Sequence, residues 1–369
     1  MKTTKELNEE IIKITDEIRA NFPELLDYLN EMPVTIPDES NPEITDKALL
    51  DYYNSLVAVL KEYESSHLKS LKIKKMGLSN TDLNTDIDNM KLSYSYAGEG
   101  TIPIIFLHGF PFDKTMWKEQ IDHFKKGACV ISLDLRGFGK SQDQSSGLSI
   151  DIFANDLVLF MNEFEIEKAV VCGLSMGGYV ALNAVKKFPE RFEALILCDT
   201  QCKADSEEGR MKRYETIEQI KLNGTADFNE NFIKSVFHPD SFANHPEVVE
   251  NLRKTIESNS KEIIMEGLSA LANRAETCSS LADIKIPTLI VCGKEDMLTP
   301  VSQSEYMHKK IKGSVLKIIE NAGHVSNLEQ PEAFNLLLKE FLITINAVKY
   351  NEPNSEPMVP KVKTEEGLN

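Results

Sequence analysis

The chain has 369 residues, 41% hydrophobic and 27% charged, an ordinary globular composition long enough for one large domain and an accessory segment. Its formal net charge of −17 argues against a general nucleic-acid-binding or anionic-membrane surface. No apolar run reaches the roughly 18 residues of a membrane span, and the charged opening "MKTTKELNEEIIKITDEI" lacks the apolar stretch of a secretory signal.

Residues 1–66 predict a helical hairpin. Leu7, Ile11, Ile14, Ile18, Leu25 and Leu29 recur at helical spacing in the first half, and Leu49, Tyr53, Leu56 and Leu60 in the second. Thr45 and Asp46 form a candidate N-terminal cap for the second helix, after the loop "MPVTIPDESNPEI". Residues 67–90 are polar and aperiodic, and are expected as a linker.

From residue 91 short β-branched runs alternate with helical ones. "KLSYSYAG", "IPIIFLHG", "ACVISLDL", "KAVVCGLS", "EALILCDT", "IPTLIVCG" and "VLKIIENAGH" read as strands, with helices over 113–126, 149–164, 176–188, 300–312 and 330–346. Several strands are continuously apolar, as strands buried on both faces must be. Residues 91–348 therefore predict an α/β domain, a mostly parallel sheet flanked by helices. The interval 200–283 is too long for one crossover and is expected as a helical cap inserted over the C-terminal edge of the sheet. Residues 349–369, rich in Pro and charge, are expected to be a disordered tail. Cys129, Cys172, Cys198 and Cys292 lie in strand-like runs, so buried reduced thiols are expected rather than a disulfide framework. The expected location is cytoplasmic.

One segment carries chemistry. "VVCGLSMGGYVAL" runs from a strand through Gly173-Leu174-Ser175-Met176-Gly177 into a helix, the setting of a G-x-S-x-G nucleophile elbow. Glycines two residues from the serine leave space for a sharp turn, and the helix N-terminus favours negative charge developing beside it. The bland alternative is a serine that merely caps a helix. A serine nucleophile needs a base, and His324 in "ENAGHVSNLEQP" follows a strand on a short loop; the other histidines fit surface positions, except His108, which fits shaping its own loop. The base needs an orienting carboxylate. Asp296 in "LIVCGKEDMLTP" stands past a strand end and gives the order Ser…Asp…His; Glu295, Asp199 and Asp134 are alternatives. Oxyanion donors are expected from the backbone N–H groups of Met176, after the nucleophile, and Phe110, after His108-Gly109.

"LHGFPFD", "LDLRGFGKS", "GLSMGGYVAL", "GKEDMLTP" and "NAGHVSNLEQP" occur in the order found in the α/β-hydrolase superfamily, which residues 91–346 closely resemble. Within it the chain looks most like small esterases and 3-oxoadipate enol-lactonase-like enzymes. The resemblance implies hydrolysis of a small carboxylic ester or lactone through an acyl-enzyme, with no metal or organic cofactor. Thioester, C–C bond and peracid chemistry use the same three residues, and a non-catalytic binding protein on this fold is the competing class. The expected partner is a small-molecule substrate, with neither nucleic acid nor membrane, and the oligomeric state is left open. Residues 1–66 fall outside the resemblance. Met211, Phe228, Phe232, Phe237 and Phe242 of the insertion are either pocket walls or cap packing.

Overall fold

The computed structural model describes residues 4–21, 47, 49–59, 80–87, 90–143 and 147–348. The chain divides into two units, Met1–Lys75 and Met76–Asn369. In the first, a helix spans Thr4–Asn21 and residues 49–59 are helical. Leu7 and Ile11 of one and Leu49 and Leu56 of the other form a small apolar cluster, with Ile14, Tyr52 and Tyr53 against it. All but Tyr52 are positions singled out by helical spacing. Leu25, Leu29, Leu60, the Thr45–Asp46 cap and the tail 349–369 lie outside the described residues.

The second unit is built on a nine-stranded sheet: β1 (Asn80–Ile87), β2 (Met90–Ala97), β3 (Ile104–Leu107), β4 (Val130–Leu133), β5 (Gln142–Asp143), β6 (Ala169–Leu174), β7 (Phe192–Cys198), β8 (Thr288–Gly293) and β9 (Val315–Ile319). Its order is β1-β2-β4-β3-β6-β7-β8-β9, with β5 paired to β2. Strands β4, β3, β6, β7, β8 and β9 run parallel, while β1, β2 and β5 add antiparallel pairing at one edge. β3, β4, β6 and β8 are buried along their whole length, which is why their sequences are apolar without alternation. All seven strand-like runs form strands.

The linker expected over 67–90 is corrected by β1. Leu83 and Ile87 alternate with exposed Asp82, Asn84 and Asp86, giving a half-buried edge strand paired to β2 from Asn80 to Ile87. Asn, Asp and Thr fill most of it and have weak strand preference (Thr excepted), so pairing with β2 rather than local propensity forms this strand.

Between β7 and β8 the chain forms helices Glu207–Asn223, Ala226–Val236, Ser241–Asn244, Pro246–Glu257 and Lys261–Ala272. Ser206 and Ser260 cap two of them, accepting from the N–H groups of Gly209 and Ile263. This insertion packs on the loops after β3 and β4. A Cβ on Gly267 would stand 2.5 Å from the Phe110 ring, and one on Gly137 would stand 2.8 Å from Ile263. Its two stems are joined by a Cys202–Cys278 disulfide and by the Thr277 N–H donating to the Cys202 carbonyl at 2.8 Å. The expectation of reduced cysteines holds for Cys129, Cys172, Cys198 and Cys292, all buried and free. It fails for Cys202 and Cys278, which stand 76 residues apart and meet only because the insertion returns to where it began. Among the described residues no helix is long and apolar enough to cross a membrane.

Candidate active site

Ser175 stands between β6 and the helix Met176–Lys187 with φ 53° and ψ −113°. A non-glycine residue in this region is strained by roughly 1–3 kcal/mol and persists only where its surroundings fix it. They do. The Ser175 N–H donates to the Cys198 carbonyl at 2.9 Å, and the Ser175 carbonyl accepts from Thr200 Oγ1 at 2.8 Å and from the Gly178 N–H at 2.9 Å. Gly173 and Gly177 serve close approach. A Cβ on Gly173 would fall within 3.0 Å of the Gly177 carbonyl, and one on Gly177 within 3.0 Å of the Leu107 and His108 carbonyl oxygens. Both helix and strand ends can therefore close around the serine.

His324 follows β9 and is buried. Its Nε2 lies 2.7 Å from Ser175 Oγ, and its Nδ1 lies 2.9 Å from Asp296 Oδ2. Asp296 is fixed on both oxygens. Oδ1 accepts from the Leu298 and Thr299 N–H groups at 2.8 and 2.9 Å, and Oδ2 also accepts from Thr299 Oγ1 at 2.7 Å. Burial pushes the Asp296 carboxyl up, but the facing imidazole and these donors outweigh it and hold it at about 2. Burial pushes His324 down, and the charge and hydrogen bond of Asp296 reverse this, leaving it raised. With Asp296 ionised, Nδ1 carries the proton and Nε2 is free to accept from the serine hydroxyl.

The predicted donor backbones flank the serine. Met176 opens the helix, so its N–H is one of the groups that no helical turn can satisfy. The Gly109 carbonyl accepts from His108 Nδ1 at 2.8 Å and from the Phe112 N–H at 2.9 Å. In a trans peptide the Phe110 N–H points the opposite way. His108 Nε2 accepts from the Leu135 N–H at 2.9 Å, so this buried ring is a neutral strut, its basicity lowered by burial. A Cβ on Gly109 would stand 3.3 Å from Ser175 Cβ, which places this loop beside the serine. The next peptide, Phe110–Pro111, is cis.

The other carboxylates are engaged elsewhere. Asp134 accepts from Lys114 Nζ at 2.6 Å, and Glu295 from the Ala322 N–H at 3.1 Å. Asp199 accepts from the Gly293 N–H at 2.7 Å and Ser326 Oγ at 2.5 Å. Burial, and then the charge of Asp296, push Asp199 up to about 8. A cavity of about 850 Å³ is lined by Ile220, Phe228, Phe232 and Leu268 of the insertion and by Leu298 of the loop after β8, with Lys212 and Arg213 on its polar side. The Phe228 and Phe232 rings stand 6.2 and 6.0 Å from that of Phe110. Ser175 is not part of this wall. Of the five apolar residues singled out in the insertion, Phe228 and Phe232 line the cavity, Phe237 is buried in the core, and Met211 and Phe242 are exposed. Thr299, which anchors Asp296, carries no signal in the sequence, because its role depends on a three-residue turn closing back on the carboxylate.

Residues 102–331 match a family model described as the alpha/beta hydrolase fold. The chain is similar to 3-oxoadipate enol-lactonase 2 of Acinetobacter baylyi, 31% identical over 67% of this chain and 91% of that protein. It is also similar to a 2-hydroxy-6-oxononadienedioate/2-hydroxy-6-oxononatrienedioate hydrolase of Escherichia coli K12, 29% identical over 69% of this chain and 91% of that one. Among solved structures, a thermophilic esterase from Thermogutta terrifontis superposes with a TM-score of 0.67 at 33% identity, covering 72% of this chain and all but 1% of that one (99%). An enol-lactonase from Burkholderia xenovorans gives 0.66 at 26% identity, over 71% of this chain and 100% of its own.

Proposed function

The chain belongs to the alpha/beta hydrolase family, and we propose that it is a serine hydrolase cleaving a small carboxylic ester or lactone through an acyl-enzyme. One observation carries this reading: the line of hydrogen bonds from Ser175 through His324 to Asp296, drawn from three separate strand ends. Ser175 Oγ attacks the carbonyl carbon as its proton passes to His324 Nε2. Asp296 holds the imidazole in the tautomer that accepts and stabilises the imidazolium that forms. The Phe110 and Met176 N–H groups hold the oxyanion. The tetrahedral adduct then breaks its C–O bond to the leaving alcohol, which takes the proton from Nε2. Water repeats the cycle, with His324 as base, and the acid is released as Ser175 regains its hydrogen.

The names of the similar proteins, enol-lactonases and esterases, support an ester or lactone as substrate. A fluorophosphonate probe tests the nucleophile. The protein should be labelled and Ser175→Ala should not; equal labelling of the two refutes the assignment. Hydrolysis across acyl chain lengths and lactone ring sizes then separates esterase from lactonase.

A further inference from the structure

Glu329 is 1% exposed at the end of the short helix Ser326–Glu329, five residues beyond His324. Three donors converge on its carboxylate. Oε1 accepts from the His238 N–H and from Ser241 Oγ, both at 2.6 Å, and Oε2 accepts from the Gly323 N–H at 2.6 Å. The first two donors belong to the helical insertion, and the third to the residue before His324. An acceptor-only group facing three donors fits the ionised carboxylate. Burial raises Glu329, and these donors act against it.

The surrounding backbone is equally close. The His324 N–H donates to the Val236 carbonyl at 2.7 Å, and a Cβ on Gly323 would stand 2.8 Å from both that oxygen and the His238 nitrogen. Val236 ends the helix Ala226–Val236, which also carries Phe228 and Phe232 against the Phe110 ring. One helix of the insertion therefore touches the Phe110 loop along its side and the His324 loop at its end.

We infer that Glu329 is a positioning residue, a clasp that fixes the His324 loop to the inserted helix and so sets the imidazole over Ser175. This rests on the assignment of Ser175 and His324 as nucleophile and base. It gives the insertion a second role beside enclosing a cavity: part of the seat of the base is built from it. The exchange Glu329→Gln addresses the link. With two donors on the Oε1 side and one on the other, the amide oxygen stays with His238 and Ser241, and its NH2 group meets the Gly323 N–H. The tether to the insertion survives while the tether to the His324 loop is lost.

The test is fluorophosphonate labelling followed to completion, which gives the fraction of competent sites from the end-point and the reactivity of each site from the rate. Glu329→Gln should reach the wild-type end-point at least about 10-fold more slowly, and its kcat on an aryl ester should fall in proportion with KM within about 2-fold. Ser241→Ala removes one donor without changing charge and should slow labelling by about 3-fold. A residue with a merely structural role would lower the end-point and leave the rate per competent site alone. Per-site rates at the wild-type value in the folded variants overturn the clasp; if Glu329→Gln does not fold, the Ser241→Ala rate decides. Ser175→Ala in parallel separates the two readings, because wild-type protein that labels no better than this control removes the nucleophile assignment and the clasp with it.

Discussion

Asp296→Asn replaces one carboxylate oxygen by an NH2 group and should abolish most of the activity through a tautomer. Oδ1 holds the Leu298 and Thr299 N–H groups, and Oδ2 holds Thr299 Oγ1 and His324 Nδ1. The asparagine oxygen must stay with the two backbone donors. Turning its NH2 group toward them would set donor against donor at both, and the buried Thr299 N–H alone would cost about 1–3 kcal/mol. The NH2 group then faces His324 Nδ1, which must accept rather than donate, and the ring proton moves to Nε2. That nitrogen lies 2.7 Å from Ser175 Oγ and can no longer take the serine proton. The analogous exchange in a serine protease lowers kcat about 10⁴-fold, equivalent to about 5.4 kcal/mol at 1.36 kcal/mol per decade. A loss of that order is expected here. The assay is steady-state hydrolysis of a short aryl ester, with circular dichroism and thermal melting to establish that the variant is folded. A folded variant within 10-fold of wild type would refute the tautomer argument and return the orienting role to another carboxylate.

The rate should also fall in acid. His324 must be neutral to act as base, and Asp296 holds its pKa above the ordinary value of about 6.5, so kcat/KM should drop as pH falls through a point above that value; a profile flat to pH 4 contradicts a histidine base. Gly173→Ala places a Cβ within 3.0 Å of the Gly177 backbone, which no side-chain rotation relieves. It should lower stability by at least about 3 kcal/mol or prevent folding, and wild-type urea melts would exclude the clash. Removing the Cys202–Cys278 disulfide by a double Ser substitution opens a closure spanning 76 residues. A loss of about 2–4 kcal/mol is expected, read from urea melts with and without reductant, and no difference would show that the Thr277–Cys202 hydrogen bond holds the stems alone.

The strands and the chemistry lie at different depths in the sequence. β3, β4, β6 and β8 are legible because both faces are buried, so nearly every residue is apolar, with Ser132 and Thr288 the exceptions. The elbow is legible because backbone atoms approach at Gly173 and Gly177 more closely than any side chain permits. β1 is not, since its polar residues are held by pairing with β2, and the Cys202–Cys278 pair is not, since 76 residues separate its halves.

By itself the sequence determined the parallel sheet, the serine on its turn and the order in which a carboxylate and a histidine follow it, because these are properties of short segments. For the carboxylate, local pattern put Asp296 first and kept Asp134, Asp199 and Glu295 as alternatives near strand ends. Only the tertiary structure decided which one faces His324, since that contact joins the ends of β8 and β9 and the other three are taken by Lys114, by Ser326 and Gly293, and by Ala322. The Glu329 carboxylate is the same case: its three donors come from residues 238, 241 and 323, which are brought to one point only when the insertion settles against the His324 loop.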